Sequence, residues 1–152
     1  MQQVGPPELL RGTEEAMASA ETDSLRTSRG RYPLDMAIAI DNLKRAHQHA
    51  VSLVSGSDAG KYLVIHGPTV QHEMQLWVQA GVLPAVALQA ATMNAARLLR
   101  SDDRIGSIRP GEDADLLVVD GNPLDDITAT ERISLVVFKG ERIDRTELFD
   151  QH

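Results

Sequence analysis

At 152 residues the chain is long enough for one ordinary domain and too short for a complete eight-stranded α/β barrel, which takes about 200 residues or more. Its 22 acidic residues against 15 basic ones give a net charge of −7, and no Lys/Arg patch interleaved with aromatics offsets it. That excludes general nucleic-acid binding, which depends on neutralising phosphates. The absence of cysteine removes disulfides, thiolate nucleophiles and Cys-based zinc sites, and leaves the compartment open.

Hydrophobic residues make up 42% of the chain and aromatics only 3%, so any core is built mainly from aliphatic side chains. No apolar stretch is long enough for a membrane span. The N-terminal Met-Gln-Gln-Val-Gly-Pro-Pro lacks the basic region and apolar core of a signal peptide.

Residues 1–32 are poor in apolar groups and rich in Glu, Ser, Thr and Arg, the composition of a flexible N-terminal segment. The character changes at Pro33, which suits the first turn of a helix. Met36, Ile40, Leu43 and Ala46 follow at helical spacing, and the helix is expected to run to about Ala50. Val51–Ser55 then predicts a short buried strand delivering Asp58 onto a glycine-flanked turn. After the loop 56–67, Pro68 opens a second helix with Val70, Met74, Trp77 and Val78 on one face and Gly81 as its stop. A third helix is predicted from Pro84 to about Leu99, where Ala87, Ala90, Ala91 and Ala95 permit close packing.

Beyond Arg100 the period becomes that of strands: Ile105–Ile108, an Arg-Pro-Gly-Glu turn, and Leu-Leu-Val-Val within Asp115–Asp120. Gly121-Asn122-Pro123 breaks the last of these, and Ile133–Phe138 with Glu141–Ile143 predicts a hairpin across Lys139-Gly140. A lone strand followed by helices cannot make a parallel sheet unaided, and a few strands with free edges call for a partner sheet. Both halves have the pattern of pieces that expect more protein.

Asp58 is the foremost chemical candidate, since a carboxylate at the C-terminal end of a barrel strand can bind a divalent cation and take a proton from bound water. By position alone it serves more simply as a turn cap. His47-Gln48-His49 has the H-x-H form of a metal pair. It lies in a helical stretch, however, where residues two apart point about 200° apart and cannot share an ion. His72-Glu73 lacks the second histidine of H-E-x-x-H, and at the start of a helix Glu73 suits a capping role. Glu112, Asp113, Asp115, Asp120, Asp125 and Asp126 lack the spacing of a calcium loop and read as turn and cap residues.

An ordered series of segments carries more information than any one residue. It comprises Gly56-Ser57-Asp58, His66-Gly67-Pro68, His72-Glu73, Ala80-Gly81-Val82-Leu83-Pro84, Ala87–Leu99, Gly106–Ile108, Pro110–Leu116 and Asp120–Leu124. From Asp41 to Ile143 this series resembles the C-terminal end of a metal-dependent amidohydrolase, in its imidazolonepropionase-like and prolidase-like branches.

The resemblance implies an α/β fold: residues 33–100 as the C-terminal part of a (β/α)8 TIM barrel (last strand and its helices), and 101–152 as strands of a small β-sandwich domain. It implies that Asp58 is both a metal ligand and the catalytic general base and acid, that His66 faces the substrate, and that the cofactor is a divalent metal, Zn2+. The substrate would be a small-molecule amide, cleaved at a carbon–nitrogen bond of non-peptide or X-Pro type. The family's metal-binding histidines on strands one, five and six have no counterpart here, so a missing N-terminal part or another chain would supply them, and the chain alone would be inactive. Ala50 stands where relatives have glycine, which implies mild strain or a different turn at that helix end. The alternative is a stand-alone, non-catalytic domain derived from an amidohydrolase, binding a partner through its sheet edges; a metal-independent pseudo-enzyme is a third reading.

Overall fold

The structure is a computed structural model, and it describes residues 36–59 and 67–145. Among the described residues four helices come first: α1 (Met36–Gln48), α2 (Pro68–Gln79), α3 (Pro84–Ala91) and α4 (Met93–Leu98). Three strands follow: β1 (Leu116–Val119), β2 (Ile133–Phe138) and β3 (Glu141–Ile143), with a 3-10 turn at Ile127–Glu131 between β1 and β2. The expected flexible segment 1–32, Pro33 and His66 lie outside the described residues.

Local sequence sets most helix boundaries. Pro68 and Pro84 each occupy the first turn of their helix, where the missing N–H costs no intrahelical bond. α2 ends in a Schellman motif: the Val82 N–H donates to the Trp77 carbonyl at 3.0 Å and the Gly81 N–H to Val78 at 2.9 Å, with Gly81 at φ 95°. Trp77 and Val82, the two ends of that motif, are both buried. They belong to a core cluster with Met74, Ala87, Ala90 and Ile127, flanked by Val70, Val78, Leu43 and Leu53. The apolar face expected for the second helix is therefore the one that packs. Ile127 enters this cluster from the 3-10 turn and fastens the β-rich tail to the helices.

The same ending recurs on α1 and α4, with unusual residues. Val51 N–H donates to Ala46 and Ala50 N–H to His47, both at 3.0 Å, with Ala50 at φ 54°. Ser101 N–H donates to Ala96 at 2.9 Å and Arg100 N–H to Arg97 at 3.0 Å, with Arg100 at φ 55°. Ala50 thus takes the left-handed position that glycine usually fills, the strained alternative of the two expected at that site.

Three expectations are corrected. The predicted third helix is two helices: at Thr92 (φ −125°, ψ −94°) the chain leaves helical geometry, and the Thr92 hydroxyl donates to the Leu88 carbonyl at 2.8 Å. Gly106 lies against this break, and a methyl group there would stand 2.7 Å from the Ala96 Cβ and 3.1 Å from the Met93 Cα. Ile105–Ile108 forms no strand; it carries this close approach instead. Nor does Val51–Ser55 form a ladder strand, because among the described residues no parallel neighbour lies beside it.

From Leu116 on, the strands pair as their pattern predicts, in a single three-stranded sheet among the described residues. β1, β2 and β3 form an antiparallel sheet in that order, with Leu116 opposite Val137 and Val136 opposite Ile143. The register shifts between Val118 and Val119, a bulge that leaves Ser134 as the extra residue on β2. Lys139 (φ 50°) and Gly140 (φ 82°) make the two-residue hairpin turn, and the Asp115 carboxylate accepts from the Lys139 N–H at 2.7 Å. β1 remains an edge strand, with Leu117 and Val118 exposed.

Candidate functional site

The segment leading to Asp58 lies on the helices, and its backbone groups find partners there. The Asn94 side-chain amide of α4 donates to the Leu53 carbonyl at 2.9 Å. The Ser55 N–H donates to the Ala90 carbonyl at 3.3 Å. Ala90 sits in the last turn of α3, whose terminal carbonyls lack an intrahelical partner because the helix stops before Thr92. Glu73 of α2 then accepts from the Gly56 N–H at 2.9 Å. Three helices therefore hold three residues of this short segment, Leu53, Ser55 and Gly56, where a sheet would otherwise pair them.

Two residues past the last of these ties, Asp58 is exposed with φ 52°, a left-handed conformation that aspartate tolerates better than most residues. His72, in the second turn of α2, is exposed, while its neighbour Glu73 is half-buried. Burial pushes the Glu73 carboxyl above its ordinary range, and the Gly56 N–H partly offsets this. Glu73 thus does not cap its own helix, as its position suggested; it binds the segment before Asp58. The signal was present in the sequence, since Glu73 falls three residues after Val70 and four before Trp77, on the apolar face of α2.

A catalytic zinc normally takes three protein ligands. Among the described residues no three His, Asp or Glu side chains come together in a way that could hold a metal ion, so these residues by themselves do not fit one. His47 lies in the last turn of α1 and His49 in the turn beyond it, so the two do not share one helix as the sequence pattern suggested. The acidic groups of the tail serve local structure. Asp113 pairs with Arg104 at 2.6 Å, Glu112 accepts from the Ser107 hydroxyl at 2.7 Å, and Asp126 caps the 3-10 turn by accepting from the Thr128 N–H at 3.0 Å. The Thr128 hydroxyl and N–H, with Arg132 beside them, hold the Asp126 carboxyl below its ordinary range.

Comparison with known proteins gives a consistent result. Residues 15–143 match the Amidohydrolase family. Adenine deaminase 1 of Latilactobacillus sakei is 38% identical over 80 residues, which are 53% of this chain and 12% of that protein. A solved Xaa-Pro dipeptidase with methionine in its active site is 29% identical with a TM-score of 0.68, covering 88% of this chain and 33% of the other. Molinate hydrolase is 28% identical with a TM-score of 0.69, covering 90% of this chain and 31% of the other. The chain spans about a third or less of the length of these relatives.

Proposed function

Because the chain belongs to the amidohydrolase family, we propose that it is the C-terminal portion of a hydrolase that cleaves carbon–nitrogen bonds, with Asp58 as its catalytic carboxylate. The observation that carries this reading is the family match over residues 15–143 in a chain that covers about a third of its structural relatives. Residues 33–100 are then the end of a TIM-type barrel, and 101–152 the β-rich tail of the neighbouring small domain. The exposed, left-handed turn at Asp58 supports the assignment, since it projects a carboxylate from the end of an otherwise anchored segment.

In this reading Asp58 takes a proton from the attacking water and returns it to the leaving nitrogen as the C–O bond forms and the C–N bond breaks. Asp58 would also be one ligand of a divalent ion, Zn2+, with the other ligands supplied by polypeptide outside this chain. The same reading assigns His66 a substrate-contacting role. The relatives named for adenine and for Xaa-Pro dipeptides support a small-molecule substrate with a hydrolysable C–N bond, of non-peptide or X-Pro type.

The test joins this chain to the polypeptide encoded upstream of Met1, by fusion or co-expression, and assays hydrolysis of amide and amidine substrates. Activity should appear only in the combined protein, and Asp58→Asn should lower kcat at least about a hundredfold. An upstream sequence with no H-x-H strand, or a fully active Asp58→Asn enzyme, would sink the reading. A monodisperse, cooperatively melting monomer that gains no activity on completion would favour the partner-binding domain instead.

A further inference from the structure

We propose that Glu73 is a positioning residue for Asp58, fixing the Gly56–Asp58 turn through its bond to the Gly56 amide. The inference rests on the reading of Asp58 as the catalytic carboxylate. The geometry behind it belongs to the chain itself.

Aspartate visits φ 52° more readily than most residues but still at some cost, so contacts that fix the preceding backbone help to hold Asp58 there. The Asn94 and Ala90 ties fix Leu53 and Ser55, and the Glu73 tie at Gly56 is the last of the three before the turn. Glu73 is an expensive residue for an ordinary packing role. It occupies the apolar face of α2, between Val70 and Trp77 and beside Met74, where Leu or Met would bury surface without desolvating a charge. Among the described residues no Lys or Arg forms an ion pair with it. Its hydrogen bond reaches a main-chain amide 17 positions away, and a charged acceptor makes such a bond stronger than a neutral one would. The carboxylate is therefore placed where it bears on the course of the backbone into Asp58.

The experiment uses the whole 152-residue chain. NMR measures amide exchange at Gly56 and the φ-dependent HN–Hα coupling of Asp58 in the parent, Glu73→Gln and Glu73→Leu. Glu73→Gln keeps an acceptor oxygen and should keep both signals; Glu73→Leu keeps the packing and loses the bond. In Glu73→Leu the Gly56 amide should exchange roughly tenfold faster, and the Asp58 coupling should move toward that of an averaged turn. Ala50 and Arg100 are also left-handed but are held by their own helix ends, so their couplings should stay put.

Unchanged Gly56 exchange and Asp58 coupling in Glu73→Leu would overturn the proposal. So would a parallel shift at Ala50 and Arg100, which would mark general loosening. In the combined enzyme, Glu73→Leu should lower kcat about tenfold with KM unchanged and Glu73→Gln should restore it. An active Asp58→Asn enzyme would refute the functional reading alone, while the NMR result would still decide whether Glu73 orders the turn.

Discussion

Ala50 and Gly81 occupy the same position at the ends of two helices, each the left-handed residue of a Schellman motif, at φ 54° and 95°. For glycine that conformation is free of Cβ strain. For alanine it costs on the order of 1 kcal/mol.

Ala50→Gly should therefore stabilise the chain by about 0.5–1 kcal/mol, the relief of strain being partly offset by the freer unfolded chain. Urea unfolding followed by the fluorescence of Trp77, the single tryptophan, would show a higher midpoint at unchanged slope. Arg100→Gly should act in the same direction at the end of α4. A lower midpoint in both variants would mean that these residues earn their place through side-chain contacts.

Gly106 makes the opposite prediction. A methyl group there meets Ala96 Cβ at 2.7 Å and Met93 Cα at 3.1 Å, on a backbone at φ 97° that alanine disfavours. Gly106→Ala should cost about 2–4 kcal/mol, combining overpacking with backbone strain. Thermal unfolding that stays within a degree of the parent would show that the helix break at Thr92 yields more readily than its packing indicates.

Glu73 gives the chain a stability that depends on pH. Its folded pKa lies above the ordinary 4.5 because burial disfavours the ionised form. The folded state is thus penalised above the folded pKa, and the penalty fades as pH falls through that value and is gone below about 4.5. Glu73→Gln cannot ionise, so its midpoint in urea should exceed that of the parent at pH 7 and converge with it as pH falls toward 4.5. A constant offset across that range would assign the effect to packing.

Zinc should find no tight site on this chain by itself, because a lone carboxylate cannot supply the three ligands a catalytic ion normally takes. Titration calorimetry should show no stoichiometric binding, and Asp58→Asn should leave the trace unchanged. A one-to-one complex that Asp58→Asn abolishes would prove the site to be more complete than the described residues provide.

The features legible in the sequence are those fixed within a few residues of chain. Pro68 and Pro84 mark helix starts, Gly81 marks a stop, and Lys139-Gly140 marks a two-residue hairpin. Each expresses a local restriction on φ or on a missing N–H, and the structure follows all of them. Ala50 was legible as a conflict, since the Schellman ending requires a left-handed residue whatever its side chain. The apolar face of α2 was readable from its spacing, though Glu73 on that same face passed as a helix cap because its partner lies 17 residues away.

By itself, then, the sequence determined the family, the helix starts at Pro68 and Pro84, the hairpin of the tail and the place of Asp58 past the end of an apolar run. Tertiary structure alone decided that the run is tied to helices in place of a sheet, that the long alanine-rich helix breaks at Thr92, and that Glu73 holds the Gly56 amide. The physical reason is the same in all three cases. A backbone polar group must be satisfied, but which partner satisfies it depends on the neighbours that packing brings within about 3 Å. Local propensity says what a segment can form, and the available neighbours decide what it does form.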